Sequence, residues 1–169
     1  PTLALEGGRE GFALGGERST GTVAQIAAAK RVEPGVIVRS ADATIVPPLS
    51  DYGPFWDART PFVFLTAGRS RVYHTPEDTP EKLDLGKLGA TARWLTRFVR
   101  TARTRDELRF VDQRFDRGTL DEVGEIVAAL RSVSPGADAA ARHIDQLRAA
   151  CDRAGNLPAA RRDDLGALV

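Results

Sequence analysis

Tyr73-His74 is the one place in this sequence where an imidazole and a phenol stand side by side. A neutral imidazole can take a zinc ion at about 2.0–2.1 Å, and a neighbouring phenol can donate to a carbonyl oxygen gaining charge. The same pair also reads as a packed turn, and residue type leaves both open. Asp51, after Ser50, can hold an imidazole or a loop backbone, or close an Asx-type turn before Gly53-Pro54. Tyr52, Tyr73, Trp56 and His74 all fall in one stretch, SDYGPFWDARTPFVFLTAGRSRVYHTPEDTPEKLD, from Ser50 to Asp84.

The elements that must position these residues follow from periodicity. Pro61–Leu65 (PFVFL) is a continuous apolar run, which fits a strand buried on both faces of a sheet covered by helices. Ligands in open α/β sheets gather beyond the carboxyl ends of strands, so residues 68–80 are where chemistry is expected. After that loop, Leu85, Leu88, Ala92, Leu95, Val99 and Ala102 recur at alternating three- and four-residue spacing and predict one apolar helix stripe. Trp94 and Phe98 widen it, and Thr79-Pro80-Glu81 reads as the helix cap. Upstream, residues 2–5 and 12–14 read as strands, a helix is expected from Thr22, Val36–Val38 reads as a strand, and Pro47-Pro48 closes a loop. Downstream, Leu108, Val111 and Phe115 predict a short helix ending near Gly118. Thr119 and Glu122 predict a capping box for a second, and Ala140, Ile144, Leu147 and Cys151 form the inner face of a third. No strand is expected after Leu65.

Bulk properties exclude several classes. The 24 basic and 23 acidic side chains of the 169 residues leave a formal charge of +1, which argues against a general nucleic-acid binder. The arginines of residues 93–117 are interspersed with Asp106, Glu107, Asp112 and Asp116, as on a solvated helix face. The single cysteine, Cys151, excludes an internal disulfide and a Cys-rich zinc ribbon. No apolar run reaches membrane-spanning length, no signal peptide opens the sequence, and the compartment is left open. His143-Ile144-Asp145 spells His-x-Asp, but Ile144 belongs to an inner helix face, so His143 is read as a surface residue.

The stretch SDYGPFWDARTPFVFLTAG…VYHTPEDTPEKLDLGKL resembles the C-terminal signature of the co-catalytic zinc aminopeptidases, which include secreted aminopeptidases, glutamate carboxypeptidase and glutaminyl cyclases. Tyr73, His74, Pro76, Asp78, Thr79, Lys82 and Asp84 agree with it together, and the likeness spans about residues 50–100. The resemblance implies that His74 is the last ligand of a two-zinc site and that Tyr73 supports the substrate carbonyl. It places Ser50 and Asp51 beside the substrate pocket, with Tyr52 and Phe55 as pocket or loop support, and makes Asp78-Thr79 the turn that fixes the histidine loop. The implied reaction is peptide-bond hydrolysis by metal-activated water, with a glutamate as general base.

The departures matter as much. The family's site also needs a His-x-Asp, a bridging Asp, a Glu-Glu pair and another acidic ligand, all earlier than Ser50. Before Ser50 this sequence has no histidine and no Glu-Glu, and Glu6, Glu10, Glu17, Glu33 and Asp42 lie outside the family's setting. One histidine falls short of the three protein ligands of a hydrolytic zinc site, so zinc is not expected to bind fully to this chain alone. The expectation is an α/β fold: a partial mixed sheet flanked by helices, an incomplete phosphorylase/hydrolase-like aminopeptidase fold, then an all-helical C-terminal extension. Residues 1–102 would be the C-terminal part of a zinc peptidase-like domain and residues 103–169 the extension. The chain would be inactive alone and would need the missing N-terminal half to act on a peptide substrate. A gene fragment, a mis-called start and a processed form are equally compatible with the absent ligands. The competing readings are a non-catalytic relic or interaction module, and a cyclase-like acyltransferase, against which Tyr73 stands where that branch tends to carry Trp. An exposed sheet edge and apolar face further predict self-association.

Overall fold

Three strands and two helices decide where the loop carrying Tyr73 and His74 stands. The computed structural model describes residues 8–46, 50–68, 70–102 and 108–168. The strand expected at residues 2–5, the Pro47-Pro48 loop, and Glu6, Asp106 and Glu107 lie outside them. In chain order the elements are β1 (Glu10–Leu14), α1 (Thr22–Ala29), β2 (Ile37–Ala41), α2 (Gly53–Asp57), β3 (Phe64–Thr66) and α3 (Leu85–Thr101). Then follow α4 (Asp116–Leu130), α5 (Ala137–Ala150) and the short α6 (Arg162–Gly166). The sheet order is β2-β1-β3; β1 pairs parallel with β2 and antiparallel with β3, with Phe12 opposite Thr66 and Leu14 opposite Phe64. This is a small mixed sheet flanked by helices and followed by C-terminal helices, an incomplete α/β fold.

Alternation along the strands gives the sheet two apolar faces. Ala13, Val36, Val38, Val63 and Leu65 meet Ile26 of α1 and Ala90, Trp94 and Phe98 of α3 on one face. Phe12, Leu14, Ala41, Phe62 and Phe64 meet Trp56 of α2 and Ile126 of α4 on the other. A third cluster joins Leu120, Val123 and Val127 of α4 to Ile144 and Leu147 of α5, with Leu157 and Leu165. Gly15 ends β1 at φ 87°, and a Cβ there would lie 2.2 Å from the Phe62 ring, so only glycine fits.

Five expectations are corrected. The PFVFL run is not a strand buried on both faces: β3 is three residues long, lies at the end of the sheet, and residues 61–66 are only half-buried. Its apolar residues cover two half-packed faces of an edge rather than a sheet interior. The face that α3 buries is Ala90, Trp94 and Phe98, while Leu85, Leu88, Ala92, Leu95 and Val99 are exposed. Both sets have helical spacing, and the Trp94 indole N–H, which donates to the Ala29 carbonyl at 2.8 Å, decides which one meets the sheet side. Asp84, not Thr79, caps α3, accepting from the Lys87 N–H at 2.8 Å; Thr79 precedes a single 3₁₀ turn at Pro80–Lys82. Residues 108–115 form no helix, since Phe110 bridges Ser19 and the Val111 N–H donates to the Arg18 carbonyl. Finally, Thr119 lies one turn inside α4, where its hydroxyl accepts from the Asp42 N–H at 2.8 Å, and Glu122 turns to Lys30 and Arg39 instead of completing a capping box.

The helices after residue 108 are fastened to the sheet by charge as well as by apolar contact. Arg39, 3% exposed, meets Glu10 at 2.6 Å, Glu125 at 2.7 Å and Glu122 at 2.9 Å. Lys30 adds contacts to Glu122 at 2.5 Å and Glu125 at 2.9 Å. Hydrogen bonds from Lys30 and Arg39 hold the Glu125 carboxyl down at about 2. Fully buried Asp42 accepts from the N–H groups of Phe115 at 2.7 Å and Thr44 at 2.8 Å.

Candidate functional site

Beyond Thr66 the chain leaves the sheet through Ala67 and Gly68, the latter at φ 83°. Residues 70–79 then fold as successive tight turns. Tyr73 N–H donates to the Ser70 carbonyl at 3.2 Å, Thr75 N–H to Val72 at 2.9 Å and Asp78 N–H to Thr75 at 3.1 Å. The Thr75 hydroxyl closes the centre, donating to the Val72 carbonyl at 2.7 Å and accepting from the Glu77 N–H at 3.3 Å. Thr79 N–H returns to the Glu77 carbonyl at 3.0 Å, so Asp78-Thr79 is the point where the loop turns toward α3.

Within this loop His74 takes a left-handed backbone, φ 62°, one of two non-glycine residues among those described to do so. Histidine is enriched in that region among non-glycine residues, yet the conformation still costs energy that the neighbouring turns must supply. The imidazole stacks on the Tyr73 ring with centroids 3.9 Å apart and planes 18° from parallel, and both side chains are open to solvent. The pair is thus presented together, rather than packed into hydrocarbon.

The second half of the predicted site stands on another segment. Ser50 and Asp51 are exposed in a turn closed by the Gly53 N–H on the Ser50 carbonyl at 2.9 Å. Pro54 sits in the first turn of α2 and Phe55 projects into solvent. Tyr52 is buried: it packs on Phe64 and Phe62 at 4.9 and 5.3 Å, and its hydroxyl donates to the Val46 carbonyl at 3.1 Å. Tyr52 therefore fastens the segment before α2 to β3. Burial pushes its phenol above the usual range, which suits a donor rather than a phenolate.

A cavity of about 430 Å³ opens between β3 and the start of α3, with Leu65, Thr66, Ser70, Lys82, Lys87 and Leu88 in its wall. None of the eight predicted site residues lines it. Burial lowers the Lys87 ammonium below its usual range there. Among the described residues no three His, Cys, Asp or Glu side chains are grouped so as to hold a metal ion. A hydrolytic zinc site takes three protein ligands, so zinc does not fit His74 and its described neighbours as a closed site.

With this geometry in hand, comparison with known proteins gives one match: the model of Peptidase family M28 covers residues 6–99. The chain belongs to the M28 peptidase family. No curated protein and no solved structure matches it. The matched span takes in all three strands, the Tyr73-His74 loop and nearly all of α3, and stops before α4.

A buried carboxylate junction that residue spacing barely announces stands at the other end of this M28 sheet. Glu17 (3% exposed) follows β1, and its carboxylate accepts from the Ala43 N–H at 2.9 Å, just beyond β2. Burial, with Asp42 adding to it, raises the Glu17 carboxyl to about 7 against the Ala43 bond and Arg18. Because β1 and β2 run antiparallel to β3, these acids lie at the opposite end of the sheet from the His74 loop. The only hint was position: Glu17 and Asp42 each follow the carboxyl end of an expected strand.

Proposed function

We propose that residues 1–102 are the C-terminal part of a zinc-dependent exopeptidase of the aminopeptidase kind, with residues 103–169 as a helical extension. By itself the chain is inactive. The observation that carries this reading is the solvent-open Tyr73-His74 stack on the loop after β3, with His74 held at positive φ. In this role His74 supplies one imidazole and Tyr73 a phenolic O–H aimed at a peptide carbonyl oxygen as it gains charge. The described residues do not group as a zinc site, so in this reading the other ligands and the general base belong to polypeptide outside them.

Two measurements test the proposal. Dialysed against zinc and assayed by atomic absorption, the 169-residue chain should retain far less than two equivalents and cleave no aminoacyl anilide; tight stoichiometric zinc with turnover refutes it. In a chain extended upstream to carry a His-x-Asp and a Glu-Glu, turnover should appear. There Tyr73→Phe should lower kcat roughly 10²–10³-fold, the scale of one lost oxyanion donor, and His74→Ala should abolish activity. Unchanged turnover in His74→Ala would also sink the reading.

A further inference from the structure

Helix α2 is too short to hold itself. Gly53–Asp57 makes little more than one turn, which is unfavourable in water alone, so it keeps its place through what its two ends touch. At the near end buried Tyr52 packs on Phe62 and Phe64. At the far end Trp56 leans on Phe62 at 5.9 Å, and two arginines supply the rest. Arg18, 5% exposed, lays its guanidinium over the Trp56 ring at 4.8 Å. Arg59, where the chain leaves α2 in a left-handed backbone at φ 50°, lies over the Phe110 ring at 5.0 Å. That backbone costs energy unless its surroundings hold it.

Both arginines lead to one segment. Residues 109–112 run antiparallel along residues 18–20. The Val111 N–H donates to the Arg18 carbonyl and the Thr20 N–H to the Arg109 carbonyl, each at 3.0 Å. The Arg109 N–H donates to the Thr20 hydroxyl at 3.0 Å, and Phe110 bridges Ser19. A buried guanidinium needs a counter-charge. Glu17 stands 3.4 Å from the Arg18 Nε without closing a hydrogen bond to it, whereas a terminal nitrogen of Arg18 donates to the Asp112 carboxylate. Asp112 therefore fixes where the cation over Trp56 stands.

We infer that Arg109–Asp112 is a strap through which the helical extension sets the position of the Ser50–Asp57 segment, with Arg18 and Arg59 as positioning residues. Its functional consequence rests on the exopeptidase reading, in which Ser50 and Asp51 stand beside the substrate pocket. The M28 match stops at residue 99, so this support comes from outside the matched span. Helix α2 precedes β3 and the Tyr73-His74 loop follows it, so the strap and the reacting groups are reached from opposite ends of that strand. A loosened strap should weaken substrate binding and spare the chemical step.

Hydrogen exchange of the whole 169-residue chain reads the strap without a catalytic assay. The N–H groups of Trp56, Ala58, Arg59 and Thr60 close α2 and its exit on the carbonyls of Tyr52, Pro54, Trp56 and Phe55 at 2.8–3.0 Å. In Phe110→Ala with Asp112→Asn these four should exchange roughly 2–30-fold faster, the factor that one cation–π contact contributes to a local opening. Amides of α3 and α5 should keep their rates. Phe110→Trp with Asp112→Glu, which keeps a ring and a carboxylate, should restore wild-type exchange. Asp112→Asn alone, at an exposed position, should already speed the Trp56 amide. Unchanged α2 exchange, or one equal acceleration across the whole fold, would overturn the strap. In an upstream-extended chain that turns over, the Phe110→Ala, Asp112→Asn variant should raise KM by up to the same factor at unchanged kcat, the opposite of Tyr73→Phe. Turnover with KM unmoved would overturn the pocket role. Absence of turnover in the unmutated extended chain would instead sink the exopeptidase reading, with the exchange rates still deciding the strap.

Discussion

Replacing Glu17 with glutamine should remove much of the pH dependence of this fold's stability between pH 5 and 8. The folded carboxyl is raised to about 7 from a reference of 4.5, chiefly by burial. Between those values the folded protein holds a proton that the unfolded chain has released. The stabilisation is therefore complete below about 4.5 and is lost as the pH rises through about 7. At about 1.4 kcal/mol per pKa unit the full swing is roughly 3 kcal/mol. A domain of this size shifts by about 2–4 °C per kcal/mol, which gives a fall in Tm of roughly 6–12 °C from pH 5 to pH 8 attributable to Glu17. Glutamine keeps an oxygen for the Ala43 N–H, which Glu17 now holds at 2.9 Å, and cannot ionise. The assay is a set of paired melts of wild type and Glu17→Gln at half-unit pH steps, with the difference in Tm plotted so that shared titrations cancel. The variant should lose ground at pH 5 relative to pH 8. Parallel curves would show that Glu17 is already ionised in the folded protein, with Arg18 or another cation paying for it, and the burial argument would fail.

Two further predictions concern the scaffold of the site. Trp94→Ala, which empties a fully buried position and orphans the Ala29 carbonyl, should cost about 3–5 kcal/mol in urea unfolding, while Trp94→Phe should cost only about 1–3. Equal costs would mean that the ring that phenylalanine retains contributes nothing at this position beyond what the indole N–H supplies. Gly15→Ala should destabilise by roughly 2–5 kcal/mol, because its Cβ would meet the Phe62 ring at 2.2 Å in a left-handed backbone; a neutral result in the same assay would show that Phe62 gives way freely.

The parts of the fold legible in the sequence are those where one physical term dominates. Phe12-Ala13-Leu14, Thr22 onward, Val36–Val38 and Leu85 onward all became the expected elements, since period and end residues agreed there. The errors arose where two patterns coexist. In α3 the 85-88-92-95-99 set and the 90-94-98 set are both helical stripes, and sequence cannot tell which one a sheet will claim. Thr119-x-x-Glu122 spells a capping box, but an intact helix beginning at Asp116 leaves no free N–H groups for it, and distant partners take both side chains. Leu108, Val111 and Phe115 have helical spacing, yet the bridge from Phe110 to Ser19, ninety-odd positions away, holds the stretch extended. Tyr73 and His74 could be picked out as a pair, but their stacking and the positive φ of His74 depend on the turns around Thr75, which no spacing rule encodes.

Strand direction explains why a chain rich in acids offers His74 so few partners. A site at the end of a sheet draws its ligands from loops that leave strands at that same end. Of the three strands here only β3 delivers its carboxyl end to the His74 side, while β1 and β2 deliver theirs to the opposite end. There Glu17 and Asp42 follow them, and both are occupied by backbone N–H groups of Ala43, Thr44 and Phe115. Glu10, at the near end of β1, is held by Arg39. Glu33 is held by Arg93 and Arg97. Each of these carboxylates already accepts from an arginine or from backbone N–H groups, and drawing one toward His74 would break those bonds. The imidazole is therefore separated by strand direction from the acids that follow β1 and β2, and the acids nearest it in the chain, Glu77 and Asp78, belong to its own loop.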